Sequence, residues 1–429
     1  MSSNETVIVE KPNNVSPPPS NEENGETTAK RTPFYQKSWF QSIFSSVIAV
    51  VIGLILGLII MIATRPDVAF SKFPILLGQW ITTTGRRGLG RWLELVPPLL
   101  MCGLGVGLSF KAGLFNIGAS GQYTVGLFFA YLVGMFGGPL GNFQWIVAIL
   151  AGALGGLIWG FFPGFFKATF RINEVITSIM FNYIGMYMVD SVIVNSASLY
   201  NSARGRAQTI NLNAMTNTLG LEKVFPGSNV DATFFIAIAT AIIMWIIISK
   251  TTFGFELKAA GANRDASRYS GINEKKSIIL TMAISGLLCG LGGAFFILKK
   301  DSVGTGIEYL PDNVIQSAGF NGIVVALLGN SHPIGTIFST FFITFLNRGG
   351  YYIQPEFKEE LANIIIAVII YFSAFSAQIG NYVIGFRKRR QRKKAIRLAI
   401  ETGDGDFESD LPDVEESEAS DYFDEGGSK

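Results

Sequence analysis

Two stretches of the sequence place glycines and amide side chains inside strongly apolar surroundings. The first, GLFNIGASGQ, covers residues 113–122 and carries Asn116; the second, GFNGIVVALLGNSHPIGT, covers residues 319–336 and carries Asn330. Amide groups and freed backbone groups can hydrogen-bond a polar solute without introducing a charge. Non-helical backbone at membrane depth is tolerated where it is buried in protein or lines a water-filled cavity. These stretches therefore suit the passage of a polar solute rather than covalent chemistry.

The second stretch distinguishes between two interpretations of the first, a segment that lines a transport path and a plain turn between spans. A plain turn between two spans explains residues 113–122 equally well when they are considered alone. The apolar run at 322–329 would be only ~12 Å long as a helix, which is too short to cross a bilayer. Pro333 prevents a continuous helix beyond it. Two Gly-interrupted segments in opposite halves of one chain favour a pair that lines a transport path.

The candidate path residues are amides, aromatic rings and one glycine. Amides suit solute hydroxyls and nucleobase edges alike, and a phenyl ring either stacks on a base or merely packs, so the residues leave the solute open. The candidates are Phe115, Asn116, Gly118, Gln122, Asn182, Phe320, Asn321 and Asn330. His332 is the only histidine, and no Cys, Asp or Glu cluster accompanies it. We therefore expect no metal site and no catalytic residue.

The elements that position these residues are membrane helices. Hydrophobic residues make up 49% of the 429, charged residues 15%, and mean hydropathy is +0.37, so the chain is expected to be a polytopic membrane protein. The long runs are continuous rather than alternating, which favours an all-α bundle over a barrel. Ten spans are predicted, at about 44–63, 92–110, 120–136, 145–166, 174–194, 232–248, 277–298, 318–329, 336–346 and 361–375. Cys102 and Cys289 fall inside such runs and are expected to be free and buried.

Charge distribution predicts the domain organisation and the orientation. Residues 1–36 are polar and predicted to be a disordered cytoplasmic tail, residues 37–386 a transmembrane domain, and residues 387–429 a basic and then acidic cytoplasmic tail. The basic run after the last span places the C-terminus in the cytoplasm, and ten crossings place the N-terminus there too. The chain is expected to cross a plasma membrane many times. One basic stretch, between residues 65 and 91, contradicts this orientation, because it falls in a predicted loop that the ten-span topology puts outside the cell.

A cytoplasmic loop at 250–276 forms the third informative region. Asn263 can cap a short helix over residues 264–269, and Gly271 can end that helix in the left-handed conformation. A helix of six residues needs a surface to dock on. That surface is either its own bundle or the groove of a partner protein.

Four segments together carry a family resemblance. GLFNIGASGQ, INEVITSIMFNYIG (172–185), FGFELKAAGANRDASRYSGI (253–272) and GFNGIVVALLGNSHPIG occur in an order and spacing that resemble the permease subunits of bacterial ABC importers for nucleosides and simple sugars, the ribose and branched-chain amino acid permease-like group. The likeness runs from about residue 92 to 375. It implies a ten-helix permease that pairs with a second permease subunit, a cytoplasmic ATPase and an extracellular substrate-binding lipoprotein.

The resemblance also assigns roles to the cytoplasmic loop. In that family the loop couples transport to the ATPase and carries a G-x-N-x-x-A-x-x-Y-x-G-I pattern, which is matched here by Gly261, Asn263, Ala266, Tyr269, Gly271 and Ile272. Asp265 and Arg268, which lie within this pattern, are expected to take part in the coupling contact as well. The sequence has no G-x-x-x-x-G-K-[ST] loop, so ATP and Mg²⁺ are expected on the partner ATPase and no cofactor on this chain. Membrane lipid is an expected partner and nucleic acid is not. The solute is expected to be a nucleoside, with a simple sugar as the alternative. Ser120 departs from the family, whose members often have Glu there.

Two other classes of function were weighed against a permease. A membrane enzyme would need paired carboxylates or a His/Asp cluster, whereas Glu94, Glu174, Asp190 and Glu360 are scattered and expected to be solvated near span ends. An ion-coupled secondary transporter is the better rival because it also uses broken helices. Such a carrier usually needs an ionisable residue at mid-span, and none is predicted.

Overall fold

The computed structural model describes residues 38–301 and 304–374. The chain divides into two units, Met1–Gln41 and Ser42–Lys429, and the second contains every feature below except the first residues of α1. Both predicted tails, 1–36 and 387–429, lie outside the described residues.

Helices account for most of the described chain, and one small antiparallel hairpin accompanies them. The hairpin pairs Tyr200 of β1 (Tyr200–Asn201) with Ala207 of β2 (Arg206–Ala207). The helices are α1 (Ser38–Thr64), α2 (Pro66–Pro74), α3 (Trp80–Leu93), α4 (Val96–Lys111), α5 (Ala119–Phe136), α6 (Gln144–Phe170), α7 (Glu174–Val194), α8 (Leu221–Val224), α9 (Ala232–Lys250), α10 (Thr252–Ala262), α11 (Arg264–Tyr269), α12 (Glu274–Ile297), α13 (Ser317–Leu328), α14 (Pro333–Tyr352) and α15 (Glu359–Ala374).

The all-α class and the polytopic character are confirmed, whereas the number of ten crossings is not. Each predicted span lies on a helix, and α7 begins and ends at the predicted residues. Within the described residues, four helices are long and apolar enough to cross a membrane, α6, α7, α9 and α12, or five if α4 and the segment before it count as one bent span. The twelve residues of α13 would extend only ~18 Å, so this helix cannot cross alone.

The basic stretch predicted as a loop is instead mostly helical over Pro66–Leu93, with a π-helical turn at 75–79 and non-helical backbone at Gly78 and Gly85, where φ is +115° and +57°. Trp80 is 1% exposed and stacks on Tyr352 of α14 with ring centroids 5.6 Å apart. Arg91 donates from Nε to the carbonyl of Gly227, in the loop before α9, at 3.2 Å. Tertiary packing on partners far away in sequence therefore makes this segment helical despite its charges.

The closest helix pair, α6 and α12, is joined through glycines. Gly152, Gly156, Gly160 and Gly164 recur at every fourth residue of α6. Gly156 and Gly160 face Gly286 and Gly290 of α12, whereas Gly152 faces Ala294 and Gly164 faces Met282 of the same helix. A Cβ added to Gly156 would lie 2.2 Å from the Gly286 carbonyl oxygen. Small residues at this spacing let helix backbones approach closely in membranes. Side chains larger than hydrogen are therefore excluded from this contact, which we call the glycine seam.

Helix α4 occupies the interior of the bundle. All residues from Val96 to Ser109 are buried, and the helix packs against α9, α12, α13 and α14. Gly103 faces Val325 of α13, and Gly105 faces Ser285 of α12. The first predicted break follows directly after this helix, and the second lies against it.

Candidate functional site

The first break begins where α4 ends. Gly113 has φ +65°, its N–H bonds the Phe110 carbonyl at 3.0 Å, and the Leu114 N–H bonds the Ser109 carbonyl at 2.9 Å. This is a Schellman ending, in which glycine takes the left-handed position at no steric cost. The chain then runs without helical structure to Gly118, the residue before α5. The predicted interruption is therefore real and about six residues long.

Asn116 ties this break to the surrounding helices. Its Nδ2 donates to Oε1 of Gln122 at 3.0 Å and to Oγ of Ser285 on α12 at 2.8 Å. Ser285 in turn donates to the Gly105 carbonyl at 2.7 Å. Asn116 and Ser285 are fully buried and Gln122 is 1% exposed. Because their polar atoms bond one another, these side chains fix the path of the break.

Asn182 on α7 bonds the chain on both sides of α5's start. Its Oδ1 accepts from the Gly121 N–H at 2.7 Å, and its Nδ2 donates to the Ile117 carbonyl at 3.0 Å. The Gly121 N–H is one of the first N–H groups of α5, which have no partner within the helix, and the Ile117 carbonyl lies in the non-helical break before it. Gly118 has φ −71°, and a Cβ there would lie 3.1 Å from Oδ1 of Asn116 and 3.2 Å from Cβ of Ser178. The backbone conformation at Gly118 therefore suits any residue, and a Cβ there would require Asn116 or Ser178 to shift by a few tenths of an ångström.

The second break is a tight turn between α13 and α14. Asn330 and Ser331 both have positive φ, +52° and +51°. The Ser331 N–H bonds the Ala326 carbonyl at 2.7 Å, and the Asn330 N–H bonds the Leu327 carbonyl at 2.9 Å, the same ending that α4 uses. His332 precedes Pro333, which is the first residue of α14. The helix break predicted from this proline is therefore present.

The two interrupted segments approach each other at the starts of α5 and α13. A Cβ added to Gly319 of α13 would lie 2.3 Å from the backbone nitrogen of Ser120, the second residue of α5. The turn of the second break lies against α4, where Ser331 faces Gly107. The structure therefore brings together regions that are about 200 residues apart in the chain.

The predicted path residues fall into two groups by exposure. Asn116, Gln122 and Asn182 are buried, and Asn321 is half-buried. Phe115 is 41% exposed and stacks on Phe110 at 5.3 Å between ring centroids, and Phe320 is 38% exposed. Asn330 is exposed as well. The two rings and the Asn330 side chain are exposed, whereas the buried amides bond protein groups.

The short helix predicted at residues 264–269 is present as α11. Asn263 accepts from the Ala266 N–H at 3.0 Å, which caps α11, and Gly271 has φ +81° after its end. Ser267 is buried, and α11 packs on α10 and α12. Tyr269 is 94% exposed, and Arg268 and Ala266 are exposed too. The side chain of Asp265 lies outside the described part of the structure. The helix therefore docks on its own bundle with one face and presents an aromatic ring on the other.

The expectation that the carboxylates are solvated is wrong for two of them. Glu174 is 9% exposed and accepts from Nζ of Lys167 at 2.6 Å. Asp190 is 3% exposed and accepts from the Tyr309 hydroxyl at 2.7 Å and from the Asn313 N–H at 2.9 Å. Both acids are buried because protein donors replace water. Burial, reinforced by the Asp190 carboxylate, raises the pKa of Tyr309, so its hydroxyl stays a donor at neutral pH.

Sequence reasoning missed the role of Asp190, which pins the loop between α12 and α13 to α7. Its partner Tyr309 is 119 residues away, and an isolated acid in an apolar run was the only available signal. Asp231 was also missed. It is 4% exposed, caps α9 through the Thr233 N–H at 3.0 Å, and accepts from the Thr216 and Thr233 hydroxyls.

Cys102 and Cys289 are free and buried, as predicted. Among the described residues, no three His, Cys, Asp or Glu side chains form a group that could hold a metal ion.

Comparison with known proteins identifies the family. A guanosine ABC transporter permease, NupP of Bacillus subtilis, is 36% identical over 306 residues, covering 70% of this chain and 85% of the relative. A nucleoside ABC transporter permease, NupB of Lactococcus lactis, is 33% identical over 298 residues, covering 67% and 79%. A glucose ABC transporter permease, TsgB13 of Haloferax volcanii, is 25% identical over 325 residues, covering 73% and 83%. No solved structure matches. A family described as the permease component of the branched-chain amino acid transport system matches residues 88–374, and the chain belongs to that family.

Proposed function

We propose that this chain is the membrane permease subunit of an ABC importer that moves nucleosides into the cell, with ATP hydrolysed by a separate ATPase. The observation that carries the proposal is the similarity to permeases named for guanosine and nucleosides, which exceeds the similarity to the glucose permease. The two breaks beside α4 support it, because interrupted helices supply polar groups for a solute at membrane depth. A simple-sugar importer is the second candidate, supported by the glucose permease relative.

In this proposal the accessible and buried residues of the breaks have different roles. Phe115, Phe320 and Asn330 contact the solute, since they are exposed and two of them offer a face for a nucleobase. Asn116 and Asn182 hold the first break in shape. Asn330→Ala should therefore change which solutes compete for uptake, whereas Asn116→Ala should lower all uptake equally. A solute profile that is unaltered in Asn330→Ala would restrict this residue to its role in the turn.

The α10–α11 segment is proposed as the contact for the ATPase. An aromatic ring that is 94% exposed on a helix capped at both ends is typical of an interface anchor. Arg268 lies beside it and offers a charged contact. Charge reversal at Arg268 together with Tyr269→Ala should leave the chain in the membrane but abolish co-purification of the ATPase, or uncouple its turnover from uptake. A double mutant that transports normally per ATP would exclude this assignment.

The assembly extends the proposal beyond this chain. Ten crossings with both termini in the cytoplasm, a second permease subunit and an extracellular binding lipoprotein complete the importer, and the resemblance of the four sequence segments supports each of them. The long C-terminal tail is proposed to contact the cytoplasmic lipid surface through its basic run.

Uptake in cells tests the proposal directly. A strain lacking its own nucleoside uptake would express this chain with its partner subunits, and labelled guanosine would be competed with unlabelled adenosine, ribose or glucose. We expect nucleosides to compete and both sugars to fail, with uptake abolished by a catalytically inactive ATPase. Failure to take up labelled guanosine, together with uptake of labelled ribose or glucose in the same strain, would favour the second candidate. Uptake that persists with the inactive ATPase and collapses with the proton gradient would indicate a secondary carrier instead.

A further inference from the structure

The α10–α11 segment touches the first break through two glycines. Gly261 is the second-last residue of α10, and a Cβ added to it would lie 2.4 Å from the Lys111 carbonyl oxygen and 3.0 Å from the Gly113 nitrogen. From the opposite side, a Cβ on Gly113 would lie 3.1 Å from the Gly261 carbonyl oxygen and 3.2 Å from its Cα. The two backbones are therefore in direct contact, with no side chain between them.

The two glycines are required for different reasons. Gly113 needs its positive φ to end α4, so any side chain there is strained regardless of space. Gly261 lies in regular helix and has no such conformational need. Only the neighbouring backbone excludes a larger residue at position 261. A substitution at Gly261 therefore changes the contact without changing the local fold of α10.

The contact leads directly to the residues that shape the break. Leu114, one residue beyond Gly113, is 2% exposed, and Asn116 follows with its bond to Ser285 of α12. Four residues separate the end of α11 from the start of α12. The last of them, Asn273, caps α12, and its side chain accepts from the Lys276 N–H at 3.0 Å. The α10–α11 segment is thus connected to Asn116 by two routes, through Gly113 and along α12.

We infer that the Gly261–Gly113 contact is the joint through which movement of α10–α11 reaches the first break, and that Gly261 is a positioning residue for transport. The inference rests on the proposed role of α11 as the ATPase contact. A contact between side chains can be absorbed by a change of rotamer, whereas close-packed backbones transmit displacement. The joint also adjoins the point where helical structure stops, so a small shift there can redirect the whole break.

The test compares two glycine-to-alanine variants in the complete importer, reconstituted with its ATPase and binding protein in vesicles. Gly261→Ala places a Cβ against backbone, whereas the control Gly138→Ala meets only Nδ2 of Asn211 at 3.8 Å. Uptake and ATP hydrolysis are measured on the same vesicles. We expect Gly261→Ala to co-purify with the ATPase and hydrolyse ATP, but to take up about tenfold less solute per ATP. The control should equal wild type, and a normal ratio in Gly261→Ala would overturn the inference.

Spin-label distances test the joint with both glycines intact. Labels replace Phe115 in the break, Phe255 of α10 and Leu154 of α6, which are all exposed, while the natural cysteines are buried. Between nucleotide-free and ATP-trapped complexes, we expect the 115–255 distance to stay constant while the 154–255 distance changes. If the 154–255 and the 115–255 distances both change, position 255 moves without position 115, which refutes the joint and leaves the ATPase contact standing. If neither moves, both proposals fail.

Discussion

Replacing Asn182 by Ala should destabilise the permease, because this side chain satisfies two buried backbone groups at once. The Gly121 N–H at 2.7 Å and the Ile117 carbonyl at 3.0 Å would both lose their partner. Asn182 is only 2% exposed, so water does not readily replace it. An unsatisfied buried group costs about 1–3 kcal/mol, so the loss is about 2–6 kcal/mol in total. Single substitutions of this size are rare and diagnostic.

The assay is thermal unfolding of the detergent-solubilised permease, with uptake measured in parallel. Asn195→Ala is the matched control, because Asn195 follows the same helix and its Nδ2 donates to the Ser191 carbonyl at 2.8 Å from an exposed position. We expect a lower midpoint and lower uptake for Asn182→Ala and little change for the control. Equal midpoints for the two variants would refute the argument that Asn182 braces the break.

Three further predictions concern single residues. Partial burial and the nearby Lys111 ammonium lower the pKa of His332, so the stability that depends on its neutral form is present above the ordinary value of 6.5 and lost as pH falls. His332→Asn should remove this acid sensitivity in melting curves and leave the pH profile of uptake unchanged. A shifted uptake profile would indicate a proton relay. Burial raises the pKa of the Asp231 carboxyl, so its stabilising contribution is present below the ordinary value of 3.8 and lost as pH rises through the raised value. Asp231→Asn, which can still accept from the α9 backbone, should flatten this pH dependence above 3.8 in the same melting experiments. Gly156→Leu should prevent folding altogether, seen as loss of membrane-extracted monodisperse protein, because its Cβ would overlap the Gly286 carbonyl.

Local signals in the sequence were sufficient for most of the helices and for both breaks. Helix α11 was predicted with its observed ends because Asn263 and Gly271 are capping residues whose effect is confined to one turn. The Pro66–Leu93 segment was predicted as a loop because the residues that stabilise it, such as Tyr352, lie more than 250 positions later. No pattern within the segment reports such a contact.

The same limit applies to the candidate site. The interruption at residues 113–122 was predicted from its glycines together with Asn116 and Gln122, and the structure has it, whereas Asn182 was predicted only as a path residue and lies inside α7. Their sequence positions did not reveal that the partners are one another and the backbone. Asp190 and Tyr309 illustrate the point again, because a pair so distant in sequence is joined only by the fold.

The glycine seam between α6 and α12 limits how this permease can be engineered for stability. Most cores can be improved by exchanging one side chain for a slightly larger or better-shaped one. Where Gly156 and Gly160 meet Gly286 and Gly290, the facing groups are backbone atoms, so no side-chain volume there can be adjusted to compensate for a larger residue. Stabilising substitutions must therefore be sought away from α6 and α12, and a library that randomises either contact face will consist largely of inactive chains.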